Sequence, residues 1–103
     1  MAYRIFRTAK ADEQLQDIVL YRAEVTGSVD DALAFLNRLE QEIGRLADFP
    51  ESGAPPRYAT LRARGYRVLI AAKQLVFYKV DRENETIMIH AILDARRDYL
   101  NLI

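Results

Sequence analysis

Six cationic side chains, Arg57, Arg62, Arg64, Arg67, Lys73 and Lys79, fall between Ser52 and Val80, a stretch that holds no Asp or Glu. Guanidinium groups fork onto carboxylates and phosphates, so such a run suits recognition of an anionic surface. Arg96 and Arg97 lie near the chain's end beside Asp98 and Tyr99. Metal-free cleavage of RNA requires a base for the 2′-hydroxyl, cations for the phosphate and an acid for the leaving oxygen. Arg67 and Arg97 could grip a phosphate, Tyr99 could stack on a base or move a proton, and His90 titrates in a suitable range. That is part of a nuclease kit.

Each of these residues also has a quieter use. His90, the only His, sits in a β-prone run between Ile89 and Ala91, where a structural role fits as well. Arg62, Arg64 and Arg67 alternate toward a strand, so they either project from one side of a sheet edge or pair with acidic helices. Arg97 and Asp98 are suited to pinning the tail. Tyr66, Tyr78 and Tyr99 offer an aromatic surface for bases, or packing with a hydroxyl at the rim. With no Cys, one His and scattered acids, neither a metal site nor a cofactor is expected.

The formal net charge is +0, which argues against a protein drawn to nucleic acid by its overall field. The distribution is uneven. Met1 to Glu51 carries six Lys/Arg against ten Asp/Glu, and Asp81 onward three against five. An acidic helical half therefore faces a basic middle. No apolar run approaches the roughly 18 residues of a membrane span, and the first residues lack the apolar core of a signal peptide. The expectation is a cytoplasmic protein with no membrane association, folded as a single domain over residues 1–103.

The elements that must position these side chains follow from spacing. Tyr3 to Arg7 alternates as a strand. Thr8 then caps a helix over Ala9 to Thr26, with Ala11, Leu15, Ile18, Val19 and Val25 on one stripe and Gly27 as its stop. Ser28, with Asp31 three residues on, caps a second helix whose Ala32, Phe35, Leu36, Leu39, Ile43 and Leu46 carry an apolar face to Phe49, closed by Pro50. A turn-rich loop from Glu51 to Arg57 leads to β-prone runs at Tyr66 to Ala72, Leu75 to Val80 and Thr86 to Leu93, with turns at Lys73-Gln74 and Asp81 to Glu85. The order β-α-α-β-β-β predicts an α+β domain, an antiparallel sheet with a two-helix hairpin packed on one face. In the last strand Ile87, Ile89, Ala91 and Leu93 point one way, yet Met88 and Ile92 on the other are apolar too. Both sheet faces need cover, and the helices supply one.

Four pieces in order carry a resemblance: Leu46-Ala47-Asp48-Phe49-Pro50-Glu51-Ser52-Gly53, Leu61-Arg62-Ala63-Arg64-Gly65-Tyr66-Arg67-Val68-Leu69, Leu75-Val76-Phe77-Tyr78-Lys79-Val80, and Ile89-His90-Ala91-Ile92-Leu93-Asp94-Ala95-Arg96-Arg97-Asp98-Tyr99. Across essentially the whole chain the sequence resembles the RelE/ParE superfamily of type II toxins, ParE-like more than RelE-like. The resemblance implies the element order derived above, a cognate antitoxin that wraps the toxin, and one of two targets. RelE-like members cut messenger RNA in the ribosomal A site; ParE-like members act on DNA gyrase without being nucleases. The neutral charge, the well-formed hairpin and the Arg-Arg-Asp-Tyr ending favour the ParE-like form, an inhibitor rather than an enzyme. Under it Arg57, Arg62, Arg64, Arg67, Arg96, Arg97 and Tyr99 would bind target or antitoxin. Under the nuclease alternative Arg67, Arg97, Tyr99 and His90 would act on RNA, and a non-toxic antitoxin-binding relative is the third possibility.

Overall fold

The computed structural model describes residues 2–95. Strand β1 (Arg4–Arg7) leads into helix α1 (Ala9–Thr26), and a tight link connects it to α2 (Val29–Gly44). Both caps are the expected ones. The Thr8 hydroxyl accepts from Ala11 N–H at 3.1 Å and the Ser28 hydroxyl from Asp31 N–H at 3.0 Å, each satisfying a donor that the helix leaves open. Gly27 ends α1 at φ 67°, a left-handed conformation that a side chain would strain. Helix α2 buries Ala32, Phe35, Leu39 and Ile43 at three- and four-residue spacing.

The second helix is shorter than its apolar pattern suggests. It passes at Arg45–Ala47 into a 3-10 turn that buries Leu46, and Phe49 stands 66% exposed. Tertiary pairing decides this end. Tyr3 N–H donates to Ala47 O at 2.7 Å, tying the turn to the start of β1. Pro50 to Tyr58 then crosses to a five-residue helix, α3 (Ala59–Ala63), absent from the sequence-based reading. One turn is too short to show a helical period.

Strands β2 (Arg67–Ala71), β3 (Gln74–Asp81) and β4 (Thr86–Asp94) form an antiparallel meander. The sheet is mixed, not wholly antiparallel, because β1 adds in parallel beside β4 and gives the order β1-β4-β3-β2. A helical crossover permits that parallel pairing. It makes β4 an interior strand, which accounts for its nearly continuous apolar run. The tight turn is Ala72-Lys73, at φ 49° and 66°, not Lys73-Gln74. Paired positive φ values match the twist of a two-residue hairpin, and Gln74 becomes the first residue of β3, paired with Ala71.

One irregularity resets the faces of β4. Phe77 pairs with Ala91 and Tyr78 with Ile89, leaving His90 as the extra residue of a bulge. Ile87 and Ile89 therefore share the helix-covered face with Ile92, while Ala91 and Leu93 turn to the other. The strict alternation expected through Leu93 does not survive the bulge. On the helix side Leu15, Phe35, Leu39, Val76, Tyr78 and Ile92 form the main core. On the other face Leu61 of α3, with Tyr58, Tyr66 and Val68, covers Leu75, Phe77, Ala91 and Leu93. The short helix thus answers much of the cover problem, although Phe6 and Met88, paired across β1 and β4, remain 45% and 38% exposed.

Candidate functional site

The basic residues do not alternate along a strand. Arg62 lies in α3 and Arg64 at its C-cap, so only Arg67 enters β2. A helical turn, not an extended run, sets their directions. Arg62 Nη1 donates to Pro56 O and Arg57 O, both at 2.8 Å, and Arg67 Nη2 donates to Glu51 O and Gly53 O. Arg82 pairs with the Glu51 carboxylate. With Pro55, Gly65, Tyr66 and Val80 these three arginines line a hollow of about 290 Å³. Carbonyls orient a guanidinium without cancelling its charge, so the hollow stays electropositive. Arg67 Nε is buried there without an acceptor among the described residues. Arg57 lies over the Tyr58 ring at 5.0 Å, and Arg64 is exposed.

What fixes this edge is Tyr78. Its side chain is fully buried, its hydroxyl donates to Pro50 O at 2.8 Å and accepts from Gly53 N–H at 3.0 Å. The loop is pressed so close that a Cβ on Gly53 would lie 2.7 Å from both the Tyr78 hydroxyl and Val68 O. Ala54 exchanges backbone hydrogen bonds with Val68, covering part of the β2 edge. Tyr78 therefore belongs to the core and the loop, not to an aromatic surface with Tyr66.

His90 occupies the opposite side of the sheet from Arg67. Arg67 pairs with Tyr78 and shares its helix-side face, whereas the His90 ring meets Tyr66 edge-on at 5.3 Å between centroids. Lys79 Nζ lies 4.5 Å from the same Tyr66 ring. Burial first, and the positive charge of Lys79 second, hold the imidazole pKa below its ordinary value. The shift favours the neutral imidazole, yet Arg67, expected from the sequence to grip a phosphate, is not beside it. Arg96, Arg97, Asp98 and Tyr99 lie outside the described residues.

A second concavity escaped sequence reading. Strand β1 stops at Arg7, opposite Ile89, while β4 continues to Asp94. Past that point α1 replaces the missing strand, and the Gln14 side chain accepts from Ile92 N–H at 3.0 Å, as a strand carbonyl would. A groove of about 680 Å³ opens between α1 and β4. Its walls include Ile18, Tyr21, Val25, Phe35 and Ile92, with Tyr21 and Val25 68% and 65% exposed. Gln74 lines it too; the residue is 8% exposed and its Oε1 has no hydrogen-bond partner among the described residues. A buried, unsatisfied amide oxygen costs about 1–3 kcal/mol. The one available signal was Val25, apolar at the end of the α1 stripe but beyond the reach of the sheet.

A two-helix hairpin over one face of a four-stranded mixed sheet, with a loop-stapled arginine edge, defines a small α+β architecture. Residues 5–99 match the family described as the ParE toxin of the type II toxin-antitoxin system parDE, and the chain belongs to that family. No curated protein matches it. The chromosomal ParDE toxin-antitoxin system from P. aeruginosa contains a chain of similar fold, with TM-score 0.75 and 18% identity over 92% of this chain and 98% of that one. The RelBE2 toxin-antitoxin complex from Mycobacterium tuberculosis contains another, with TM-score 0.63 and 19% identity over 91% and 99%. No helix among the described residues is long and apolar enough to cross a membrane.

Proposed function

We propose that this chain is a cytoplasmic growth-inhibiting toxin that acts by binding DNA gyrase and is neutralised by a cognate antitoxin. The observation that carries this reading is the division of the chemical groups. Arg62 and Arg67 are held by the carbonyls of Pro56, Arg57, Glu51 and Gly53 on one edge, and His90 lies on the other face with Tyr66. An edge of fixed cations favours docking onto an acidic surface; concerted RNA cleavage needs base, cation and acid around one phosphate. Arg57, Arg62 and Arg64 are exposed on that edge, and Arg96, Arg97 and Tyr99 extend the proposed binding set beyond the described residues.

The test is a supercoiling assay with purified gyrase and purified toxin. Inhibition with accumulation of cleaved DNA complexes is expected, and the double variant Arg57→Glu, Arg64→Glu should weaken it about tenfold or more with an unchanged circular dichroism spectrum. Untouched gyrase together with cleavage of ribosome-bound transcripts would refute the proposal. That second outcome is the RelE-like reading, and one feature favours it: burial first and Lys79 second lower the His90 pKa, which favours the neutral form that a general base requires. It would assign roles to Arg67, Arg97, Tyr99 and His90, and His90→Ala would then abolish cleavage.

A further inference from the structure

The hollow lined by Arg62, Arg67 and Arg82 is charged for one small oxyanion, and we infer that it binds a phosphate monoester, carried by a small molecule or by the phosphorylated end of a nucleic acid. Arg57 and Arg64, through which gyrase docking is tested, do not line it, so the two readings stand or fall separately. Charge is the first support. Three guanidinium groups line the space and no Asp or Glu does. Glu51 pairs with Arg82, whereas among the described residues Arg62 and Arg67 are held by carbonyl oxygens and by no carboxylate. Two positive charges are therefore left unmatched. A phosphate monoester carries about −1.5 to −2 charges at pH 7, while a backbone diester or a carboxylate carries a single one.

The second support is the set of donors. Arg67 Nη2 donates to Glu51 O and Gly53 O, yet Arg67 Nε is buried without an acceptor among the described residues. Buried donors in folded proteins are almost always partnered, so one left open in the lining of a concavity points to an acceptor that arrives with a ligand. Arg62 approaches from α3 and Arg82 from the turn after β3. Donors from several elements suit tetrahedral oxygens better than the two coplanar oxygens of a carboxylate. Third, the cations are set in advance. Tyr78 pins the loop at Pro50 and Gly53, Arg67 anchors on the same loop, and Arg62 anchors on Pro56 and Arg57, so binding orders little that was free. Gly65 adds no side chain, and nothing lies within 4 Å of where its Cβ would stand, which leaves that side open. The volume of about 290 Å³ holds a phosphate group and several waters, at roughly 30 Å³ for each water. It lies at the lower limit of pockets that enclose a whole drug-sized ligand, roughly 300 Å³, so the phosphate enters and the group bearing it stays outside.

Calorimetric titration of the purified chain at constant ionic strength tests this. Inorganic phosphate should bind with a dissociation constant of about 1 mM or tighter, and acetate about tenfold more weakly or less. Arg82→Gln, at an exposed position, should weaken phosphate binding about tenfold with an unchanged circular dichroism spectrum. Glu51→Gln releases Arg82 from its carboxylate and should strengthen binding about threefold, a gain that a merely structural role for the pair would not give. Lys10→Gln removes the same charge from an exposed position on α1 and should change nothing. A DNA oligonucleotide with a 5′-phosphate, compared with its 5′-hydroxyl counterpart, separates the two sources. Tighter binding of the phosphorylated end than of inorganic phosphate assigns the site to nucleic-acid ends, and equal binding assigns it to small phosphorylated molecules; both support it. Equal affinity for the two oligonucleotides would overturn the proposal in favour of backbone diesters, and acetate bound as tightly as phosphate would overturn it in favour of an acidic peptide. A loss for Lys10→Gln equal to that for Arg82→Gln would reduce the effect to general charge attraction and overturn it too. Gyrase inhibition by a chain that binds no phosphate would overturn this proposal alone.

Discussion

Tyr78→Phe tests most directly whether the arginine edge depends on the core behind it. The substitution deletes one oxygen, keeps the ring and opens no cavity at the fully buried position. Two groups lose their partner: Pro50 O, which accepts at 2.8 Å, and Gly53 N–H, which donates at 3.0 Å. Gly53 is buried, and its close approach to Tyr78 and Val68 leaves no room for a replacement water. Each lost hydrogen bond is worth about 1 kcal/mol net, and each buried group left unsatisfied costs up to about 3, so an overall loss of about 2–4 kcal/mol is expected. For a domain near 100 residues that corresponds to a fall in melting temperature of roughly 10–30 °C. Urea unfolding followed by far-ultraviolet circular dichroism gives the free energy directly, with an unchanged m-value if only stability is altered. Arg67→Met removes the other staple of the same loop, at Glu51 O and Gly53 O. The double variant should therefore lose less than the sum of the singles, since a loop already released has nothing further to lose. A loss below about 0.5 kcal/mol for Tyr78→Phe, or strict additivity with Arg67→Met, would refute the coupling of core, loop and edge.

Three further outcomes are expected. His90 should titrate by NMR below its ordinary pKa, and Lys79→Met should move it part of the way back, burial being the larger cause. Because the unfolded chain then binds the His90 proton more tightly than the folded one, the associated stability is complete above the unfolded value near pH 6.5 and is lost as pH falls through the folded-state pKa; a pH series of thermal melts checks the sign. Lys73→Gly should stabilise the chain by about 1 kcal/mol in urea unfolding, since Lys73 is held at φ 66° where a side chain is strained. Asn84→Ala should raise the pKa of Asp81, whose carboxylate accepts from the Asn84 side chain at 2.8 Å and its N–H at 3.1 Å, as read by carboxyl NMR titration.

The sequence by itself determined the local elements. Thr8, Gly27 and Ser28 mark helix ends through chemistry confined to a few residues, and the apolar spacing of Phe35, Leu39 and Ile43 sets the buried face of α2 wherever that helix packs. It also sufficed for the order of the four strands and the two long helices, though not for α3, and, through the four ordered motifs, for the family. Whatever depends on distant partners was settled only in three dimensions. The parallel place of β1 beside β4 joins residues about 80 positions apart, and no local period encodes it. The bulge at His90 reverses the faces that strict alternation assigns to Ala91, Ile92 and Leu93, because the extra residue is defined by register against β3. Arg62, Arg64 and Arg67 are the clearest case. Their types announced a basic patch, but α3 is one turn long and the carbonyls of the loop lie 5 to 16 residues away in sequence. The tertiary structure thus made two of them anchors of an edge, set Arg67 and His90 on opposite faces, and opened beside α1 a groove that no sequence motif announces.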